Sequence, residues 1–380
     1  MARVFSCVTV LCLTLAGSLA ASEDSAELNN LGVRAAQEGK FEAGVRYLRE
    51  AVKQNPQDDA ARKNLSGILT SWAFHLEQAG EIDTAEQLLL EAVDRQPDNG
   101  TAYVLLGDMA YFKQSDFTHA ITYWKRAYSH LSSAERRAVS ERIAQAQRDE
   151  LIERGFVSQQ TAHFDIRVQQ EGKVALAALG RLLEQHYAAL EQDFGRGPSR
   201  VAVIVYTQED LHRTYNQRDW AVGFYDGRLR LLWNEIGTPL ADAFIAHELA
   251  HAFLHYLYGE GPPIWVHEGF AQLREGERPR TAEEQRLEQG MVSGTLWVPL
   301  KWLDHRFTHP SGTEDVARAY VESRMVIAEL VKRHGLETFK AFLELLAQGT
   351  PVDVAYDRAF TPSRWSRTDQ SIVNEVKGGG

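Results

Sequence analysis

The chain has 380 residues, with 52 Asp and Glu against 41 Lys and Arg, a formal charge of −11. That length allows two or three folded units, and the acidic balance argues against nucleic acid or an anionic membrane as a partner. Its only two cysteines, Cys7 and Cys12, lie near the N-terminus, which leaves the rest of the chain without a disulfide, a thiolate metal site or a Cys nucleophile.

Residues 1–20 read as a secretory signal peptide. Met1-Ala2-Arg3 is a short basic start, Val4 to Leu15 is apolar, and Ser18-Leu19-Ala20 supplies a small-x-small cleavage site. An uncleaved anchor is the competing reading, but the apolar run is short for a bilayer span. The expectation is export, to a periplasm or outside the cell. No later segment is long and apolar enough to span a membrane.

Residues 22–131 are expected to be all-helical repeats. Segments 25–58 and 66–99 each fit a helix-turn-helix period of about 34 residues. The first has Leu31-Gly32, Gly44, Leu48, Ala51 and Pro56. The second has Trp72-Ala73, Ala85, Leu89, Ala92 and Pro97 at the same offsets. A third copy starts near Gly100 with Leu106-Gly107, and its Ala120, Trp124 and Ala127 follow one residue late. Small residues let the paired helices approach, and the Pro ends the second helix. This pattern resembles the tetratricopeptide (TPR) repeat, which implies a protein or peptide partner on the array. Asn64-Leu65-Ser66 and Asn99-Gly100-Thr101 match glycosylation acceptors, relevant only in a eukaryotic host. Ser132-Ser133-Ala134-Glu135 carries a capping box, so residues 132–155 are read as a capping and connecting helix.

Residues 156–350 change character. His163 to Val168 alternates and reads as a strand, Val174 to Phe194 as a helix, and Val201 to Tyr206 as a short apolar strand. Gly223 to Leu232 reads as a hairpin with Asp226-Gly227 at its turn. Ala241 to Tyr258 lacks Gly and Pro, carries apolar residues at spacings of three and four, and stops at Gly259, Gly261, Pro262 and Pro263.

That helix holds His247-Glu248-Leu249-Ala250-His251, which matches the HExxH motif of zinc proteases. Residues i and i+4 share a helix face roughly 6 Å apart, so two imidazoles can converge on one ion at about 2.0–2.1 Å each. Glu248 lies to the side of that face, where it can take a proton from a water polarised by the ion.

A hydrolytic zinc site takes three protein ligands and one open position. His255, Tyr258, Glu260, His267 and Glu268 follow the pentapeptide. His255 lies about 12 Å along the axis from His247, too far to share its ion. Tyr258 and Glu260 sit where the helix breaks. His267 and Glu268 remain, both on a second helical run, Ile264 to Arg274. Here Trp265-Val266-His267-Glu268-Gly269-Phe270-Ala271 resembles the second metal-binding segment of gluzincins, the HExxH peptidases whose third ligand is a Glu. The resemblance implies Glu268 as the ligand, a Zn²⁺ cofactor, a zincin-like fold and a peptide or protein substrate. It also implies that Gly269 permits close approach of the two helices, with Trp265 and Phe270 packed on the first. Thermolysin-like members carry an Asp four residues past the Glu to orient the first His. Gln272 stands there in this chain, and an amide does not raise ligand basicity as a carboxylate would.

A further group must stabilise the anionic transition state. Gluzincins often use a downstream Tyr or His, which implies Tyr320 on the run Val316–Lys332, or His305 or His309 in the preceding loop. A second helix is expected at Leu336–Leu346, and residues 351–380 are read as a tail. The overall expectation is α+β: TPR-like helices, then a small mixed sheet, an active-site helix and C-terminal helices. The expected activity is zinc-dependent peptide hydrolysis, with His247, His251 and Glu268 as ligands and Glu248 and Tyr320 as catalytic groups. The alternative is a TPR scaffold with a metal-binding but inactive second domain.

Overall fold

The computed structural model describes residues 23–169, 176–207, 209, 223–232, 238–276, 278, 280–293 and 300–360. The chain divides into two compact units, one ending at Arg154 and the next beginning at Gly155. The signal-like segment 1–20 lies outside the described residues, as do residues 361–380.

The first unit is a stack of helical hairpins: α1 (Glu23–Gln37) with α2 (Phe41–Gln54), α3 (Asp59–Gln78) with α4 (Ile82–Arg95), and α5 (Gly100–Phe112) with α6 (Phe117–Ala127). The small residues of the repeat stand where helices cross. A Cβ on Gly32 would lie 2.6 Å from Leu48 Cγ, and one on Gly44 would lie 2.8 Å from the Gly32 carbonyl oxygen. In the third hairpin a Cβ on Gly107 would lie 2.4 Å from Trp124, which is fully buried.

Two departures from a strict period have local causes. Residues 59–65, which fall between the first two sequence copies, lengthen α3, capped by the Asp58 carboxylate accepting from the Ala61 amide. The one-residue lag in the third copy comes from its turn. Residues 113–116 join α5 to α6, one residue more than 38–40 or 79–81 in the other hairpins, and Ser115 takes φ 52° there. Ala120, Trp124 and Ala127 are still fully buried.

The Asn residues of both acceptor sequons are used inside the unit. The Asn64 amide donates to Asn29, and Asn99 caps α5 while donating to Ser66 and Thr70. Helix α7 (Ser133–Glu153) opens with the Ser132–Glu135 capping box. It belongs to this unit through buried polar bonds: Arg142 and the Trp124 indole donate to Asp108, and the Tyr111 hydroxyl donates to Asp149.

The second unit is built on five strands in the order β1-β2-β3-β5-β4. These are β1 (Val157–Gln160), β2 (Phe164–Val168), β3 (Val201–Tyr206), β4 (Gly223–Tyr225) and β5 (Leu229–Leu232). Strands β2, β3 and β5 run parallel, with Phe164 opposite Val201 and Val203 opposite Leu229. The outer strands β1 and β4 are antiparallel to their neighbours. β1, with its Ser and Gln residues, escapes the sequence reading because it lacks an apolar run. Ile166, Val203 and Leu229 form one core with Leu183 and Tyr187 of α8 (Leu176–Phe194) and Leu249 and Phe253 of α9 (Pro239–Tyr258).

The remaining helices are α10 (Ile264–Arg274), α11 (Ala282–Val292), α12 (Leu303–Thr308), α13 (Thr313–Ala347) and α14 (Val352–Ala359). The two C-terminal helices expected from sequence are the halves of α13, broken at Gly335, which takes φ 80°. The tail expected from residue 351 starts too early. Ala355, Tyr356 and Phe360 are buried in the unit's core, because a short amphipathic helix carries them inward. His305 sits within α12 rather than in a loop.

Gly269 faces α13, not α9: a Cβ there would lie 2.5 Å from the Ser323 carbonyl oxygen. Phe270 accordingly meets Phe339 of α13 and Phe194 of α8. Among the described residues no helix is long and apolar enough to cross a membrane.

Gly107→Ala should destabilise the first unit by about 1–3 kcal/mol, because overpacking displaces Trp124. Gly67→Ala, where a Cβ meets nothing within 4 Å, should stabilise it by about 0.5–1 kcal/mol. Urea denaturation of the two variants separates these outcomes.

Candidate metal centre

Thr238 caps α9 by accepting from the Ala241 amide, and Pro239 starts its first turn. Leu249, Ala250, Ala252, Phe253 and Leu254 are all buried, so the helix that carries the pentapeptide is fixed by apolar packing. On it, His247 Nε2 and His251 Nε2 lie 3.1 Å apart.

The turn at residues 259–263 returns the chain into α10. A Cβ on Gly261 would lie 2.5 Å from Leu346 O and Ala347 Cα, so only Gly fits. Helix α10 then sets Glu268 Oε2 at 3.5 Å from His247 Nε2 and 3.5 Å from His251 Nε2. These are the residues whose ligand atoms converge among those described. Two ligands at about 2.05 Å from a tetrahedral ion stand about 3.3–3.4 Å apart, so the triangle matches the donor spacing of one small cation. Glu268 Oε2 is also buried without a hydrogen-bond partner among the described residues. Two nitrogens and a carboxylate oxygen aimed at one point, with the oxygen otherwise unsatisfied, suit a divalent cation.

Burial alone would push the His247 imidazole down, but Glu268, Glu275 and Glu248 outweigh it and hold the ring up to about 10. Glu268 shows the converse. Burial raises its carboxyl, and the imidazoles of His251 and His247 bring it well below the usual carboxylate range. Glu248 is buried, and burial pushes its carboxyl up. His247 and His251 pull it back, Glu268 adds to the rise, and the Tyr225 backbone amide of β4 donates to it.

The other sequence candidates separate clearly. His267 stacks near His251, ring centroids 6.1 Å apart, outside the triangle. Burial, then the charge of His251, holds it down to about 4, so it stays neutral. His255 faces the carboxylate of Glu260 at 3.5 Å. His305 and His309 stack on each other at an exposed surface. Tyr320 is half-buried with its ring edge against Phe307. Its hydroxyl is pushed up by burial and then by Glu268, Glu248 and Glu275, which places it in the field of all three carboxylates.

Glu275 is the functional neighbour that sequence reasoning missed. It lies three residues past Gln272, and its Oε1 accepts from His247 Nδ1 at 2.8 Å. Its position at the C-cap of α10, three residues past the place where the gluzincin pattern would put the carboxylate, hid it. The only available signal was a carboxylate close behind the Glu-Gly pair.

A family model described as tetratricopeptide repeat matches residues 35–109. The first unit therefore carries TPR repeats, a module that suggests a protein partner. No curated protein matches the chain.

In metal-free protein His247 should keep its proton through neutral pH. Because its folded pKa lies above the ordinary 6.5, the linked stability is full below about pH 6.5 and fades as pH rises towards 10. Ring NMR of the histidines, with denaturation in chelator at pH 7 and pH 10, checks both points.

Proposed function

We propose that the chain is an exported zinc-dependent peptidase of gluzincin type whose TPR repeats recruit a protein or peptide. The reading is carried by one observation: His247, His251 and Glu268 aim three donors at one point, 3.1 to 3.5 Å apart, beside a buried Glu248. Export is supported by the basic start and apolar run of residues 1–20.

Zinc held there supplies Lewis acidity, which acidifies water and polarises a substrate carbonyl. Glu248 takes the proton of the attacking water and delivers it to the departing amine. Its raised proton affinity suits both steps, since a carboxylate in the ordinary range would hold the proton too weakly to return it at neutral pH. His247 and His251 would hold the ion through neutral Nε2 lone pairs and Glu268 through one negative charge, so a divalent ion there would keep net positive charge. Tyr320 donates its hydroxyl to the oxygen that gains negative charge.

The TPR match supports a second reading, a scaffold whose other unit keeps a metal without turnover. A structural ion site has no use for the buried base, so Glu248 favours hydrolysis.

Glu248→Gln should retain one zinc per chain and lose peptide hydrolysis, whereas His247→Ala and Glu268→Ala should lose the zinc. Elemental analysis beside a peptide-library digest decides. Digestion by Glu248→Gln at the wild-type rate defeats the mechanism, and a wild type that cleaves no library peptide favours the scaffold. Tyr320→Phe should lower kcat about 10²–10³-fold with KM little changed, as steady-state kinetics on a cleaved peptide would show.

A further inference from the structure

Beside the triangle, a part-buried chain of charged side chains follows α10. Glu275 is the turn residue whose Oε1 meets His247 Nδ1, and its side chain is 8 % exposed. Its other oxygen, Oε2, accepts from Arg278 Nε and stands 3.5 Å from Arg280 Nη1. Arg278 then donates through both terminal nitrogens to Glu284, at 2.5 Å and 3.2 Å. Glu284 is the third residue of α11 and closes its capping box with Thr281. Each oxygen of Glu275 thus has a different partner, one a metal-site imidazole and the other an arginine anchored to a helix start.

We infer that Glu275 is the positioning residue of the metal centre, supplying from the turn the carboxylate that Gln272 cannot supply from the helix. The inference rests on the zinc reading and assigns a role within that site. The hydrogen bond from Nδ1 fixes the tautomer of His247, leaving the Nε2 lone pair directed at the triangle. It also fixes the ring plane, because a carboxylate held from behind by Arg278 cannot swing aside. The side chain of Glu275 is kept from rotating by a bidentate clasp that ends on a capped helix.

A purely structural role would make Glu275 a counter-ion for Arg278 and nothing more. The two roles differ in what they do to bound metal. Glu275→Gln preserves volume and an acceptor for Nδ1–H but removes the charge. Glu275→Ala removes both. Zinc affinity, measured by competition with a chromophoric chelator, should fall about tenfold for Gln and about 100-fold for Ala. Co²⁺ loaded in place of zinc should keep wild-type visible bands in Glu275→Gln and show shifted bands in Glu275→Ala, whose imidazole is free to turn. Thermal unfolding of the metal-free variants establishes that each is folded, and Glu275→Gln decides alone if the alanine variant is not. Zinc affinities within about twofold of wild type and unchanged cobalt bands, with only thermal stability lowered, overturn the inference while leaving the zinc reading intact. A wild type that takes up no zinc overturns both.

Discussion

Two imidazole nitrogens 3.1 Å apart, facing a buried carboxylate oxygen without a hydrogen-bond partner among the described residues, set the constraint on which the second unit turns. Removing a carboxylate from water costs several kcal/mol unless it is paired. Much of the second unit offsets that cost. Helix α9 packs against α8, α10 and β4, and the return turn at Gly261 admits no side chain. The positive charge of protonated His247 lies between Glu275, which faces Nδ1, and Glu268, 3.5 Å from Nε2. A ring proton and a divalent cation would compete for the same negative charges, so uptake of an ion would be coupled to proton release.

Close approach through missing side chains is the device common to both units. In the repeats, Gly32 and Gly44 let α1 and α2 cross, and Gly107 makes room for the Trp124 indole. In the second unit, Gly269 lets α10 lie against Ser323 of α13. That contact is what carries Tyr320, one turn earlier on α13, toward the carboxylates of the centre. The packing of helices remote from the triangle therefore determines which groups face it.

Much of this was legible in the sequence because it depends on short-range periodicity. The i, i+4 histidines, the Gly-Pro turn and the Glu-Gly pair lie within 23 residues of one another, and helix geometry converts that spacing into convergence. The repeat pattern was legible for the same reason, and the family match to residue 109 stops just ahead of the turn with the extra residue. There the fixed period loses phase while the burial of Ala120, Trp124 and Ala127 continues. Features set by tertiary contact were not legible. Polar β1 is a strand only because β2 pairs with it, α14 is too short to announce itself, and Glu275 reaches His247 from a turn. Gly269 was read correctly as a contact point but assigned to the wrong helix, since a small residue shows that a neighbour is close without saying which.

The hydrogen bond from the Tyr225 amide to Glu248 links an outer strand of the sheet to the buried carboxylate beside the triangle. That amide lowers the carboxyl's proton affinity by less than His247 and His251 do, but it comes from a different element. If β4 were drawn outward by an ångström or so, the carboxyl would lose that donor and grip its proton more tightly. Lateral movement of a strand would then register as a change in the protonation of Glu248, with no alteration to His247, His251 or Glu268.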